Sequence, residues 1–186
     1  MATAKPITPT IGAEIQGLDL REELDVAVQA WVADQLVKYK VIFFRDQNIS
    51  AQQHLDFARQ FGTLETHPVN PKEGFPELLV LHNDSDRPPS DTAIWHSDVT
   101  WRPQPSLGSI LIARKVPEIG GDTLFANMEA AYEDLDDSVR AAIDERRAVH
   151  RFEPMRQYLL QTGADTQQMA KFEKKYPAVT HPIVRT

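Results

Sequence analysis

The spacing of apolar residues predicts two helices in the first third of the chain. Between residues 21 and 39 they recur about every 3.6 positions, with acidic residues early and lysines late, the order that the helix dipole favours. A second helix is predicted from Ser50, because Ser50-Ala51-Gln52-Gln53 has the form of a capping box, and Gly62 is its predicted end. Further on, helical spacing predicts helices over 128–135, 138–146 and 154–175, the last with a break near Gly163.

Short apolar runs bounded by turn residues predict the strands. The predicted strands cover residues 11–15, 41–44, 77–81, 95–100, 107–115, 123–127 and 148–152, and residues 178–186 read as extended chain. The strands after residue 90 are short and neighbouring, which favours an antiparallel β core decorated by helices, an α+β class. A parallel βαβ arrangement is less expected, since no Gly-rich phosphate loop follows a strand.

Composition narrows the classes of function. The 186 residues, without a repeat or linker, predict a single domain over 1–186, and a net charge of −7 argues against nucleic-acid binding. The absence of cysteine excludes disulfides, iron–sulfur clusters and a cysteine nucleophile. Neither a signal peptide in residues 1–9 nor an apolar run long enough to cross a membrane is visible, so a cytoplasmic protein is expected.

His96 and Asp98 are the candidate metal ligands. On the predicted strand 95–100, residues i and i+2 point to the same face, which would present an imidazole and a carboxylate to one point. This pair is two thirds of the 2-His-1-carboxylate triad that holds non-haem Fe(II) with open positions. A bare His-x-Asp triplet is weak evidence, and the alternative is a core histidine hydrogen-bonded to Asp98.

Several segments in order resemble the taurine dioxygenase family of Fe(II)- and 2-oxoglutarate-dependent oxygenases, which also includes alkylsulfatases and aryloxyalkanoate dioxygenases. The resemblance covers nearly the whole chain. The matching segments are Phe43-Phe44-Arg45-Asp46-Gln47, Phe61-Gly62, His67-Pro68-Val69, Trp95-His96-Ser97-Asp98-Val99-Thr100, Pro105-Ser106-Leu107-Gly108, Gly120-Gly121-Asp122-Thr123-Leu124 and His181-Pro182-Ile183-Val184-Arg185-Thr186.

The resemblance implies a double-stranded β-helix, a jelly-roll core with flanking helices. It implies that His96 and Asp98 bind iron, that Thr123 contacts 2-oxoglutarate, and that His67 and the backbone of Val99 line the substrate pocket. It further implies O2 as co-reactant, release of succinate and CO2, and a homo-oligomer, a dimer or tetramer.

Two positions depart from the taurine-specific members and concern the substrate. Those members have a tyrosine three residues after the equivalent of His67, where this chain has Asn70, and an asparagine four residues before the first iron ligand, where it has Thr92. The expected substrate is therefore another small anion, such as a different sulfonate or an alkyl sulfate, with release of an aldehyde and sulfite or sulfate.

The family continues past the segment that ends at Thr186, and that continuation carries the third iron ligand, a histidine, and the anion-binding arginines. The jelly roll is therefore expected to be incomplete at the C-terminus, with the third ligand outside this sequence; His150 and His181 are not expected to replace it. Two other functions stay open. One is a metal-free binding or scaffold domain, and the other is a zinc or manganese hydrolase that uses His96 and Asp98.

Overall fold

The computed structural model describes residues 1–66, 71–82 and 94–185. The chain divides into two compact units. The first unit comprises Met1–Ser90 and Ile112–Glu133, and the second comprises Asp91–Leu111 and Asp134–Thr186. Within the described ranges, no helix combines the length and the apolar character that crossing a membrane requires.

A three-stranded sheet and two helices form the body of the first unit. Strands β1 (Thr3–Pro6) and β2 (Ala13–Gln16) are antiparallel, and β2 pairs in parallel with β3 (Ile42–Phe44). Helix α1 (Val26–Tyr39) connects β2 to β3, so this part is a βαβ unit. The less expected parallel arrangement is thus present in this part of the chain, because a crossover helix needs no phosphate loop.

Local signals set the helix ends in the first unit. The Asp25 side chain accepts a hydrogen bond from the Val28 amide, so α1 begins later than the predicted residue 21. Helix α2 (Ala51–Arg59) begins with the predicted capping box, in which Ser50 and Gln53 each bond the other's backbone. The helix ends at Arg59, before the predicted stop at Gly62.

The hydrophobic core of the first unit lies between these helices and the segments that precede them. Its buried members are Leu20, Leu24, Val32, Ile49 and Phe57. Two glutamine side chains fasten the neighbouring loop: Gln47 accepts from the Leu20 amide at 2.9 Å, and Gln60 accepts from the Leu24 amide at 3.1 Å. Burial of apolar side chains therefore stabilises the core, and glutamine side chains pair with backbone amides beside it that would otherwise lack a partner.

The other regular elements among the described residues of the first unit are a hairpin and a short helix. Strands β4 (Pro71–Lys72) and β5 (Phe75–Leu79) pair antiparallel, and Arg59 of α2 lies 3.6 Å from the Glu77 carboxylate. Helix α3 (Met128–Glu133) starts where the Asn127 side chain accepts hydrogen bonds from the amides of residues 129 and 130.

The described residues of the second unit form three helices and one strand pair. Helices α4 (Asp137–Ile143), α5 (Glu153–Gln161) and α6 (Thr166–Lys175) confirm the predicted helices and the break near Gly163. Strands β6 (Arg147–His150) and β7 (Val179–Pro182) are antiparallel, with Ala148 opposite His181. An aromatic cluster holds them to the loop before them: Trp101 stacks on Phe152 with ring centroids 4.3 Å apart, and Tyr176 meets both rings edge-on.

Three predicted strands do not form. Residues 95–97, 107–115 and 123–127 have no regular strand structure, and Asp98–Trp101 is a turn. Their apolar side chains are exposed, among them Leu107, Leu111 and Leu124. A strand requires a hydrogen-bonded neighbour, and an apolar run by itself cannot supply one.

Candidate metal centre

His96 and Asp98 are brought together by a turn and not by a strand. The chain turns at Asp98–Trp101, where the Arg102 amide donates to the Val99 carbonyl at 3.0 Å. In this conformation His96 Nε2 lies 3.3 Å from Asp98 Oδ1. The predicted convergence of the two side chains is thus present, although its predicted cause, the alternation along a strand, is wrong.

The hydrogen bond at the other ring nitrogen orients His96. Its Nδ1 lies 2.8 Å from the Ile94 carbonyl oxygen, which can only accept, so Nδ1 carries the proton in this contact. In the neutral ring Nε2 then presents its lone pair toward Asp98. A metal-ligating histidine is commonly held in this way, with its distal N–H on a carbonyl.

Ser109 fixes the carboxylate, and it was missed in the sequence. Its hydroxyl donates to Asp98 Oδ2 at 2.5 Å, which leaves Oδ1 on the side of His96. Ser109 follows directly on the matched segment Pro105–Gly108, but a lone serine carries no sequence signal for this role.

The separation of the two donors fits a shared metal ion. Two ligand atoms about 2.1 Å from one ion and at right angles to each other are about 3 Å apart. The observed 3.3 Å is close to that value. An ion pair with a protonated imidazole would fit the same distance, but the two side chains are 66% and 55% exposed, and pairs that exposed add little to stability.

Within residues 1–66, 71–82 and 94–185, no three His, Asp or Glu side chains are grouped so as to hold a metal ion. The pair His96 and Asp98 is therefore a partial ligand set among the residues described. His181 does not complete it, since its Nε2 lies 2.9 Å from the Thr100 carbonyl oxygen and 3.0 Å from that of Arg102.

Val99, the predicted pocket residue beside Asp98, has a strained backbone. Its φ is +46°, in the left-handed region that β-branched residues rarely adopt. Such conformations persist where surrounding contacts enforce them, and they cluster at functional sites. The strain at Val99, the residue after a candidate ligand, therefore supports a functional role for this turn.

The remaining predicted site residues are Thr123, His67, Asn70 and Thr92. Thr123 belongs to the first unit, in an exposed segment without regular structure. His67, Asn70 and Thr92 lie outside the described residues. Their assigned roles stay predictions.

Comparisons with known proteins identify the same family as the sequence motifs. The family model described as "Taurine catabolism dioxygenase TauD, TfdA family" matches residues 3–186. An "Alpha-ketoglutarate-dependent sulfate ester dioxygenase" of Pseudomonas putida is 34% identical over 186 residues, covering 97% of this chain and 60% of that protein.

Solved structures agree with the family model. A crystal structure of a putative alpha-ketoglutarate-dependent taurine dioxygenase from Burkholderia xenovorans superposes with a TM-score of 0.79 at 32% identity, covering all of this chain and 61% of that one. The structure of AAD-2 in complex with Mn(II) and N-oxalylglycine gives a TM-score of 0.73 at 30% identity, covering 100% of this chain and 65% of that one.

The chain thus spans about three fifths of the length of these relatives. The α+β class and the jelly-roll type of fold predicted from the resemblance are confirmed by these superpositions. This chain belongs to the taurine catabolism dioxygenase TauD, TfdA family.

Proposed function

We propose that the protein is an Fe(II)- and 2-oxoglutarate-dependent dioxygenase that hydroxylates a C–H bond of a small anionic substrate. The observation that carries the proposal is the pair of donor atoms, His96 Nε2 and Asp98 Oδ1, 3.3 Å apart and each fixed from behind by a hydrogen bond. Family membership adds the reaction class, and the sulfate ester dioxygenase adds the substrate class.

His96 and Asp98 would hold the iron, with a third ligand from outside the described residues. The Ile94 carbonyl keeps the proton of His96 on Nδ1, and Ser109 holds Oδ2 of Asp98, so both donors keep their direction. Bound Fe(II) supplies the redox chemistry: 2-oxoglutarate and O2 become succinate and CO2, while one oxygen atom enters succinate and the other enters the substrate C–H bond.

The cosubstrate role falls to Thr123, whose hydroxyl can donate to a carboxylate of 2-oxoglutarate. N-oxalylglycine, bound with Mn(II) in the AAD-2 structure, differs from 2-oxoglutarate by an NH in place of a CH2, and supports this cosubstrate. We assign His67, Asn70, Thr92 and the Val99 backbone to the substrate pocket.

The substrate we favour is a sulfate ester or a sulfonate other than taurine. Hydroxylation of the carbon that bears the sulfur group gives an unstable product, which collapses to an aldehyde with release of sulfate or sulfite. Asn70 and Thr92 stand where taurine-specific members have tyrosine and asparagine, so recognition of the amine and sulfonate is expected to differ.

An anaerobic titration of the full-length gene product with Fe(II) and 2-oxoglutarate tests the metal centre. We expect a visible metal-to-ligand charge-transfer band, its loss in His96→Ala, and its retention in the matched control His82→Ala, an exposed histidine elsewhere in the chain. A band unchanged in His96→Ala would contradict the ligand assignment. Metal binding without 2-oxoglutarate binding would favour a hydrolase, and binding of neither would favour a scaffold.

The substrate class has its own test. Succinate formation is measured with taurine, an alkyl sulfate and an aryloxyalkanoate, together with released sulfite or sulfate. Turnover of the alkyl sulfate above taurine supports the proposal; turnover of taurine alone overturns the substrate assignment while leaving the oxygenase intact.

A further inference from the structure

Two histidines that lie far along the chain contact the 98–101 turn, His181 through the backbone and His150 through the Thr100 side chain. His181 is 8% exposed, and its Nε2 lies 2.9 Å from the Thr100 carbonyl oxygen and 3.0 Å from the Arg102 carbonyl oxygen. His150 Nδ1 lies 2.9 Å from the Thr100 hydroxyl oxygen. All of these residues belong to the second unit.

The partners of His181 decide its proton. Both are carbonyl oxygens, which only accept, so Nε2 must carry the hydrogen and share it between them. This nitrogen is thereby committed to the backbone on both sides of Trp101. The Nε2–H group of His181 thus links Thr100, within the turn, to Arg102, the residue that follows the turn.

The strands that carry the histidines form a firm base. Ala148 pairs with His181 and His150 with Val179 in the antiparallel β6–β7 ladder, and the two imidazoles meet edge to face with centroids 5.1 Å apart. The Arg147 guanidinium also donates to the Thr180 carbonyl at 2.7 Å. The position of His181 is therefore set by the ladder and not by the turn it contacts.

The turn needs such support, because Val99 within it has a φ of +46°. A strained β-branched residue returns to ordinary backbone angles unless neighbouring contacts prevent it. Any such relaxation would change the position of Asp98, the residue immediately before Val99, relative to His96. The hydrogen bonds of His181 hold the backbone that follows Val99, at Thr100 and Arg102.

We propose that His181 is a positioning residue for the metal centre: its Nε2–H, shared by the Thr100 and Arg102 carbonyls, holds the strained turn that aims Asp98 at His96. The inference rests on the proposed iron site for its functional meaning. The structural part of the proposal, that His181 orders the turn, can be tested on the metal-free protein.

The first test measures amide hydrogen exchange of residues 98–102 by mass spectrometry on the full-length protein without metal. In His181→Leu, which fills the site but has no donor, we expect exchange there to rise about tenfold or more, because two carbonyls lose their donor. In His181→Gln, whose amide nitrogen can reach the place of Nε2, we expect a rise under about threefold.

Thr100→Val is the matched control. It removes the hydroxyl that faces His150 but keeps the carbonyl that His181 bonds, and we expect exchange within about threefold of the wild type. Unchanged exchange in His181→Leu overturns the proposal. Equal increases in His181→Leu and His181→Gln also overturn it, since packing would then explain the effect, and so does an equal increase in Thr100→Val.

The second test measures Mn(II) affinity in the presence of 2-oxoglutarate. We expect about a tenfold loss in His181→Leu and near wild-type affinity in His181→Gln, as for other residues that orient a ligand from behind. Wild-type affinity in His181→Leu overturns the positioning role. If the wild-type protein itself binds no Mn(II), the proposed iron site fails, and the exchange experiment still decides whether His181 holds the turn.

Discussion

The two units hold their key segments by different means. In the first unit, apolar side chains such as Val32 and Phe57 are buried together, and the helices begin at caps formed by residues three positions apart. In the second unit, the backbone of the 98–101 turn bonds His181 and the Thr100 hydroxyl meets His150, and these histidines lie 81 and 50 residues along the chain from Thr100. Burial stabilises a fold without direction, whereas hydrogen bonds fix the direction of a few atoms.

This difference explains where the candidate chemistry lies. A metal centre needs donors fixed to a fraction of an ångström, and the second unit provides a strained turn that polar contacts define. Variants in the two units should therefore fail in opposite ways: in the first unit by loss of stability, and at the turn by loss of metal binding.

The largest effect is expected from Asp98→Ala. The carboxylate is one of two donors in the described part of the site, so we expect Mn(II) binding to be abolished. Its side chain is 55% exposed, so the thermal midpoint of the metal-free protein should change by no more than a degree or two, about the effect of an ordinary surface substitution. Calorimetry with and without Mn(II) measures the metal binding and the thermal midpoint. A large fall in the midpoint of the metal-free protein would contradict the statement that variants at the turn lose metal binding and not stability.

The next effect is a pair of substitutions on one helix. Val32 is 2% exposed and Val37 is 71% exposed, both on α1. We expect Val32→Ala to lower the free energy of unfolding by about 1–3 kcal/mol through lost burial and a cavity, with Mn(II) affinity retained by the folded protein. Val37→Ala makes the same change in helix propensity at an exposed position, and it should be nearly neutral in urea denaturation. If both variants lose the same free energy of unfolding, burial of Val32 does not stabilise the first unit.

A smaller effect of opposite sign is expected at Val99. Val99→Gly removes the strain of a positive φ, and we expect a net gain of about 1 kcal/mol in stability, since relief of strain exceeds the entropic cost of glycine. The looser turn should bind Mn(II) more weakly. Val99→Ala, which keeps a Cβ at the same φ, should show no such gain in chemical denaturation, and a gain of equal size there would refute the strain.

The smallest effect concerns an exposed ion pair in the first unit. The Arg21 guanidinium donates to the Asp19 carboxylate, with Nε 2.9 Å from Oδ1, and lowers the pKa of Asp19 from 3.8 to about 2. Because the folded pKa lies below the unfolded value, the pair stabilises the fold above pH 3.8, and this contribution disappears as the pH falls toward 2.

Both partners of this pair face solvent, so the stability change is small and the titration itself is the measurement. In the wild type the carboxyl chemical shifts should titrate near 2, and in Arg21→Gln, which keeps the backbone hydrogen bond to Asp19, the midpoint should move up toward 3.8. An unchanged midpoint would show that the backbone amide of Arg21, and not its charge, sets the pKa.

The elements that the sequence predicts well are those with local causes. The capping box at Ser50 depends on a neighbour three residues away, and it is present in the structure. The predicted strand at 41–44 also forms, over Ile42–Phe44, but it does so by pairing with the distant β2. The predicted strands over 107–115 and 123–127 depend on partners that the pattern does not name, and they do not form. The parallel pair β2–β3 is less expected from the sequence for the same reason, because pairing direction is decided by the path of α1.

At the candidate site, the sequence alone predicted the donor pair, His96 and Asp98, and the neighbouring segments indicated the family. It could not determine that a turn would bring them together, that Ser109 would hold the carboxylate, or that His181 would bond the backbone after Asp98. Residue types and short spacings are local properties of a chain, so the sequence contains them. The aim of a carboxylate depends on contacts across as many as 81 residues, and only the tertiary structure decides those.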